Sequence, residues 1–257
     1  MTVIVGVLCS DGVVVGSDSS VTFTGGSIKT IEQLSKKTFK VGDDLIFSFT
    51  GAGGQGQRFD DVVSRLKVDK PLAKLKALDV GREIARVSTQ DFGYTGANRG
   101  TFGALAGFSC ANGFHLCEFA ESDFQPELKT REMWFCSMGS GQPITDPFLA
   151  LARRTLFRDA QPKLNEGVFL AYWTLGHAIE LNTGGIQGPV QIATLSKDAN
   201  GKPRSRLLAE ADFGEHEGMV QGIEEHLRLY REKLAGNVPA KSTPAQAPPI
   251  PPQQKPP

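Results

Sequence analysis

Strand and helix patterns in this chain come in groups, not in alternation, and that order narrows the fold more than any single motif. The opening TVIVGVLCSDGVVVGSDSS reads as two strands turning at Ser10-Asp11-Gly12, because Asp-Gly between β-branched runs is a strong hairpin signal. KKTFKVGDDLIFSFT predicts a second hairpin, turning at Gly42-Asp43-Asp44. RFDDVVSRLK has helical spacing at Phe59, Val62, Val63 and Leu66, and a second helix is expected over 72–90. Strand patterns return in TFGALAGFSC, FHLCEFA and EMWFCSMG. Helices are then predicted over 146–157 and 165–179, strands over 189–196 and 204–209, and a last amphipathic helix over 215–234. Paired helices between groups of hairpin-linked strands argue against βαβ crossovers. They argue for antiparallel sheets with helices layered outside, an α+β fold.

Composition bounds the partners. The 257 residues carry 28 basic and 28 acidic side chains, so no bulk field points to nucleic acid or a membrane surface. The apolar runs are too short and interrupted to cross a bilayer. The N-terminus has neither a basic n-region nor an apolar h-region, which points away from secretion. Cys9, Cys110, Cys117 and Cys136 show no CxxC spacing, and three lie in apolar runs. Buried thiols in a reducing, cytoplasmic compartment are expected, with no metal and no cofactor. From Gly236 large apolar residues almost vanish, so a domain over 1–235 and a disordered Pro-rich tail over 236–257 are expected.

The stretch Gly51-Ala52-Gly53-Gly54-Gln55-Gly56 matches GxGxxG between a strand and a helix, the setting of a dinucleotide site. The following segment argues against that use. Helix leads to helix, Asp69 ends LKVD instead of an apolar strand, and the strand before the loop is paired in a hairpin. A glycine-rich turn also lets a backbone N–H approach a ligand closely, so it can supply an oxyanion-hole donor.

The first strand is expected to begin at the second residue. Threonine is small, so Met1 is expected to be removed by an aminopeptidase. A terminal threonine carries a hydroxyl nucleophile and an amine on one Cα, and that amine has an ordinary pKa of about 7.7–8.0. It can accept the hydroxyl proton near neutrality, which no internal threonine does alone.

Together TVIVGVLCSDGVVVGSDSSVT, KKTFKV, FTGAGGQGQ and SMGSGQ resemble, in order, the motifs of proteasome β-type subunits, the family that includes the bacterial protease HslV. The motifs span Thr2 to Gln142; the element order fits onward to about Leu234. The resemblance implies a four-layer αββα sandwich of the N-terminal-nucleophile hydrolase type. It implies a threonine-type endopeptidase that self-associates into stacked rings and takes polypeptide substrates, with an ATP-dependent unfoldase partner left open.

Residue by residue, Thr2 matches the nucleophile, Asp18 the strand-end acid and Lys37 its lysine partner. The Asp18–Lys37 spacing is longer than in typical members, so Lys36 and Lys29 stay as alternatives. Gly51 matches the oxyanion-hole glycine and Ser140 the serine near the terminal amine. In AIELNTGG, Glu180 stands for the usual aspartate and Thr183 for the usual serine. Ser20 replaces a common arginine. Thr22 matches a substrate-backbone position, and Phe49 and Gly53 fall where the family lines its specificity pocket. A phenylalanine at 49 is expected to narrow that pocket toward small side chains. Two other readings stand beside the peptidase: a catalytically inactive ring scaffold, and an N-terminal-nucleophile amidase acting on small substrates.

Overall fold

In the computed structural model, residues 1–25, 28–69, 71–94, 100, 102–181 and 185–236 are described, with side chains 24–30 left out. The chain runs β1 (Ile4–Cys9), β2 (Gly12–Ser17), β3 (Ser20–Gly25), β4 (Ile28–Leu34), β5 (Thr38–Val41), β6 (Leu45–Thr50), α1 (Gly53–Asp69) and α2 (Ala77–Tyr94). It continues β7 (Gly103–Cys110), β8 (Gly113–Phe119), β9 (Pro126–Leu128), β10 (Phe135–Met138), α3 (Gln142–Thr155), α4 (Leu164–Glu180), β11 (Gln191–Lys197), β12 (Pro203–Leu207) and α5 (Gly214–Leu234). Two units divide it, Met1–Glu217 and Gly218 onward, and the boundary falls inside α5.

Met1–Glu217 builds two five-stranded antiparallel sheets, in the orders β10-β1-β2-β11-β12 and β5-β6-β7-β8-β9. β1 and β2 pack on β6, β7 and β8 across the sheet interface. α4 covers β1 and β2 from outside, α3 packs on α4 and β10, and α1 and α2 pair over β5 and β9. The result is the αββα sandwich that the element order and the family resemblance imply.

The hydrophobic pattern explains the layering. β1 and β2 are buried at every position because both faces are covered, so they read as continuous apolar runs instead of alternating ones. Val7, Cys9 and Val14 face Gly167 of α4, while Gly6 and Val13 face the opposite sheet. Close approach requires glycine twice at the interface. A Cβ on Gly107 would lie 2.7 Å from Val13, and one on Gly6 would lie 3.0 Å from Leu116. A second core of aromatic rings fills the space between β5–β8 and the α1–α2 pair, centred on Phe47, Phe59, Phe102 and Phe124.

Against the sequence expectation, β1 begins at Ile4 instead of the second residue and α3 at Gln142 instead of 146, and three further elements differ more. The glycine-rich stretch is not a loop from Gly53 onward but the first turns of α1. Residues 72–76 carry one 3-10 turn (Leu72–Lys74), and α2 begins only at Ala77. The third difference is the β3–β4 ribbon, which hairpin patterning does not announce because its strands are largely polar and Phe23, Ile31 and Leu34 are exposed. The second unit, taken by itself, is the remainder of α5, in which Arg228 pairs with Glu224 and Glu225 along the helix. The Pro-rich segment 237–257 lies outside the described residues.

Candidate active site

The site assembles where strand ends meet. Thr2 precedes β1, Asp18 follows β2, Lys37 precedes β5, Gly51 follows β6 and Ser140 follows β10. Pairing of β1 with both β2 and β10 brings the first, second and last of these together. The β3–β4 ribbon takes up the long spacing between Asp18 and Lys37 and returns the chain to the same place.

Asp18 is the hub. Its Oδ1 accepts from the Val3 N–H at 3.0 Å and from Lys37 Nζ at 2.9 Å. Its Oδ2 accepts from the Ser20 N–H at 3.0 Å and from the same ammonium at 3.0 Å. Two backbone donors and one cation therefore fix both carboxylate oxygens. The side chains of Lys37 and Asp18 are only 3% and 0% exposed. Lys37 Nζ also donates to Thr2 Oγ1 at 3.1 Å, and the Thr2 hydroxyl donates to the Met1 carbonyl at 2.8 Å. Burial pulls the Lys37 ammonium below its ordinary pKa, and the Asp18 charge and hydrogen bonds oppose that shift. Of the lysines considered, Lys37 reaches Thr2; Lys36 is exposed and lies over the Phe39 ring at 4.6 Å, and the Lys29 side chain is outside the described residues.

Ser140 serves the other side of Thr2. Its Oγ accepts from the Thr2 N–H at 3.0 Å and donates to the Thr2 carbonyl at 3.3 Å. Gly139 makes that approach possible: it has φ +91°, and a Cβ there would lie 2.4 Å from the Thr2 carbonyl oxygen. Gly51, at φ +109°, uses the same freedom in the lining of a cavity of about 380 Å³ that Thr2 also lines. Thr22, Phe49 and Gly53 also line this cavity, and Thr22 Oγ1 accepts from the Met1 amine at 3.4 Å.

Phe49 lines the cavity with a packed ring. It stacks on Phe39 and Phe102 and lies over Gly56, where a Cβ would come within 2.0 Å of it. It is 7% exposed and contributes to the cavity lining. Glu180 ends α4 with its side chain exposed, outside the described residues that line the cavity. Thr183 lies outside the described residues.

The pattern described as Proteasome subunit matches residues 2–178. The chain belongs to the proteasome subunit family. Among solved structures, it is similar to a chain from the structure of the helical assembly of the Anbu complex from Pseudomonas aeruginosa, at TM-score 0.65 and 15% identity, covering 96% of this chain and 100% of that one. It is similar to Anbu, the ancestral beta-subunit, of Yersinia bercovieri, at TM-score 0.66 and 13% identity, covering 94% and 100%. The Gly-1 mutant of Anbu from Hyphomicrobium sp. strain MC1 gives TM-score 0.66 at 12% identity, covering 95% and 100%. At such identities the likeness carries the fold. Comparison with curated protein sequences finds no significant match.

The proteasome-family fold also employs residues that sequence reasoning did not single out. Gln191, at the start of β11, accepts from the Lys37 and Thr38 N–H groups at 2.9 and 3.2 Å. Its Nε2 donates to Ser19 Oγ at 2.9 Å and the Ser35 carbonyl at 2.7 Å. One amide thus clamps the backbone that carries Lys37. A buried chain of hydroxyls runs from Ser17 to Thr38 at 2.8 Å and on to Ser48 at 2.7 Å, tying the two sheets under the site. The one available clue to Gln191 is a polar residue heading the otherwise apolar run QIATL. Among the described residues no cluster of His, Cys, Asp or Glu could hold a metal ion, and no helix is long and apolar enough to cross a membrane.

Proposed function

We propose that this proteasome-family chain is a threonine-type endopeptidase whose nucleophile is Thr2 after removal of Met1. The observation that carries the reading is the hydrogen bond from Lys37 Nζ to Thr2 Oγ1 at 3.1 Å, in the lining of a cavity, with Lys37 locked by Asp18. Removing Met1 would turn the Thr2 N–H into an α-amine next to Ser140. That amine takes the hydroxyl proton, and Thr2 Oγ attacks the peptide carbonyl carbon. The Lys37 cation favours the neutral amine and steadies the developing alkoxide. The Gly51 N–H is assigned to the oxyanion. The protonated amine returns its proton to the leaving nitrogen, and water then releases the acyl group from Thr2. Glu180 and Thr183 are proposed to complete the polar surroundings of the amine.

The partners we infer are polypeptide substrates and further copies of the chain. The helical assembly of the Pseudomonas aeruginosa Anbu complex supports self-association. Intact mass and N-terminal sequencing, before and after a β-lactone inhibitor, test the function. A chain starting at Thr2 that gains one inhibitor mass there is the expected result. Retained Met1 or an unmodified Thr2 would sink the peptidase reading. Hydrolysis of acyl amino acids but not of peptides would make the chain an amidase.

A further inference from the structure

α1 presents Gly53, Gln57 and Asp60 to the cavity at i, i+4 and i+7, one face of a helix. Gly53 adds no side chain to the lining, and the space where its Cβ would lie is open. Phe39 and Phe49 supply an apolar wall, and Asp60 places a half-buried carboxyl in the lining. Burial pushes that carboxyl toward protonation, and the Lys36 charge pulls it back toward the anion. Lys36 itself lies in the lining, its ammonium 4.6 Å from the centre of the Phe39 ring. A lysine of the chain thus places a cation over the aromatic wall and in the field of the acid.

We propose that the cavity beside Thr2 is a subsite for a cationic side chain, with Asp60 as its charge partner and Lys36 as the internal occupant that a substrate displaces. The assignment rests on the peptidase reading. The stem of a lysine or arginine lies along the apolar wall, and its head replaces the Lys36 ammonium over Phe39 and beside Asp60. Lys36 is exposed, so it can swing into water and keep its charge solvated. Lys37 does not compete for the acid, because Asp18 holds it from both carboxylate oxygens. An anionic substrate side chain would face Asp60, and a small one would leave the carboxyl with only a mobile partner.

The test uses the full-length mature protein and tripeptide epoxyketones that differ only in the residue next to the warhead: Arg, Leu, Ala or Glu. Adduct formation on Thr2 is followed by intact mass. Each rate is divided by that variant's own rate with a small β-lactone lacking a side chain at this position. The Arg compound is expected to react roughly ten-fold or more faster than the others, the scale of a hydrogen bond to a charged group. Asp60→Asn should erase that ratio, Asp60→Glu should keep most of it, and Lys36→Ala should raise it several-fold. Lactone labelling with Leu, Ala or Glu preferred overturns the subsite, as does an Arg:Leu ratio that Asp60→Asn leaves unchanged. Failure of the lactone itself overturns the peptidase reading and takes the subsite with it.

Discussion

Lys37 is held by opposing forces. Burial favours its neutral form, while Asp18 at 2.9 and 3.0 Å favours the cation. Asp18→Asn would leave that ammonium in the interior without its countercharge. Breaking a buried pair costs about 3–5 kcal/mol, which urea unfolding would read as a lowered midpoint. The pH profile follows from the same groups. The Thr2 amine must be neutral to act as base. Its limb should rise through a pKa at or below about 7.7, because the neighbouring cation disfavours protonation. The Lys37 ammonium is lowered from its ordinary value, so rate should fall again on an alkaline limb beginning below 10.5. Measuring kcat/KM against pH for peptide cleavage checks both limbs. A single rising curve with no alkaline loss would remove Lys37 from the reacting centre.

Elements meet here through glycines and buried hydroxyls. Gly56 sits within α1 because the Phe49 ring occupies the space of its Cβ. Gly56→Ala is expected to cost about 1–3 kcal/mol by overpacking and to push the ring toward the cavity. Thermal unfolding, together with a loss of reactivity toward bulky epoxyketones, would register both effects. Thr38→Val should remove both hydrogen bonds of the Ser17–Thr38–Ser48 chain and strand two buried hydroxyls, at a cost of about 1–3 kcal/mol. His115 on β8 and His216 in the first turn of α5 add an acid sensitivity. Burial lowers both pKa values from 6.5, so the unfolded chain binds protons more readily. Stability should therefore fall as pH drops through about 6.5 and below, and His115→Phe should flatten that fall in urea titrations.

At the scale of the molecule, the layers place the site at strand ends, where side chains from β1, β2, β5 and β10 converge without interrupting either sheet. Thr2→Ala is accordingly expected to abolish β-lactone labelling while shifting the unfolding midpoint little, because among the described residues Thr2 Oγ1 bonds only to Met1 and Lys37. For self-association, sedimentation velocity should find species far above the 27.7 kDa chain mass. Electron microscopy then separates closed stacked rings from an open helix.

The sequence by itself determined the element blocks, because hairpin turns and helical periodicity are local properties. Asp11-Gly12 between two β-branched runs needs no distant partner to be read. The family resemblance carried by four motifs in order singled out Thr2, Asp18, Gly51 and Ser140, with the lysine left open among Lys37, Lys36 and Lys29. Tertiary structure alone decided between Lys37 and Lys36. The two are adjacent in the chain, yet one is buried on Asp18 and the other lies exposed over Phe39. It decided that Phe49 turns under α1, because the space beside Gly56 exists only once the helix packs. It supplied Gln191, more than 150 residues from the lysine whose backbone it clamps. Such contacts depend on which strand ends meet. That is set by burial summed over both sheets, which no short stretch of sequence encodes.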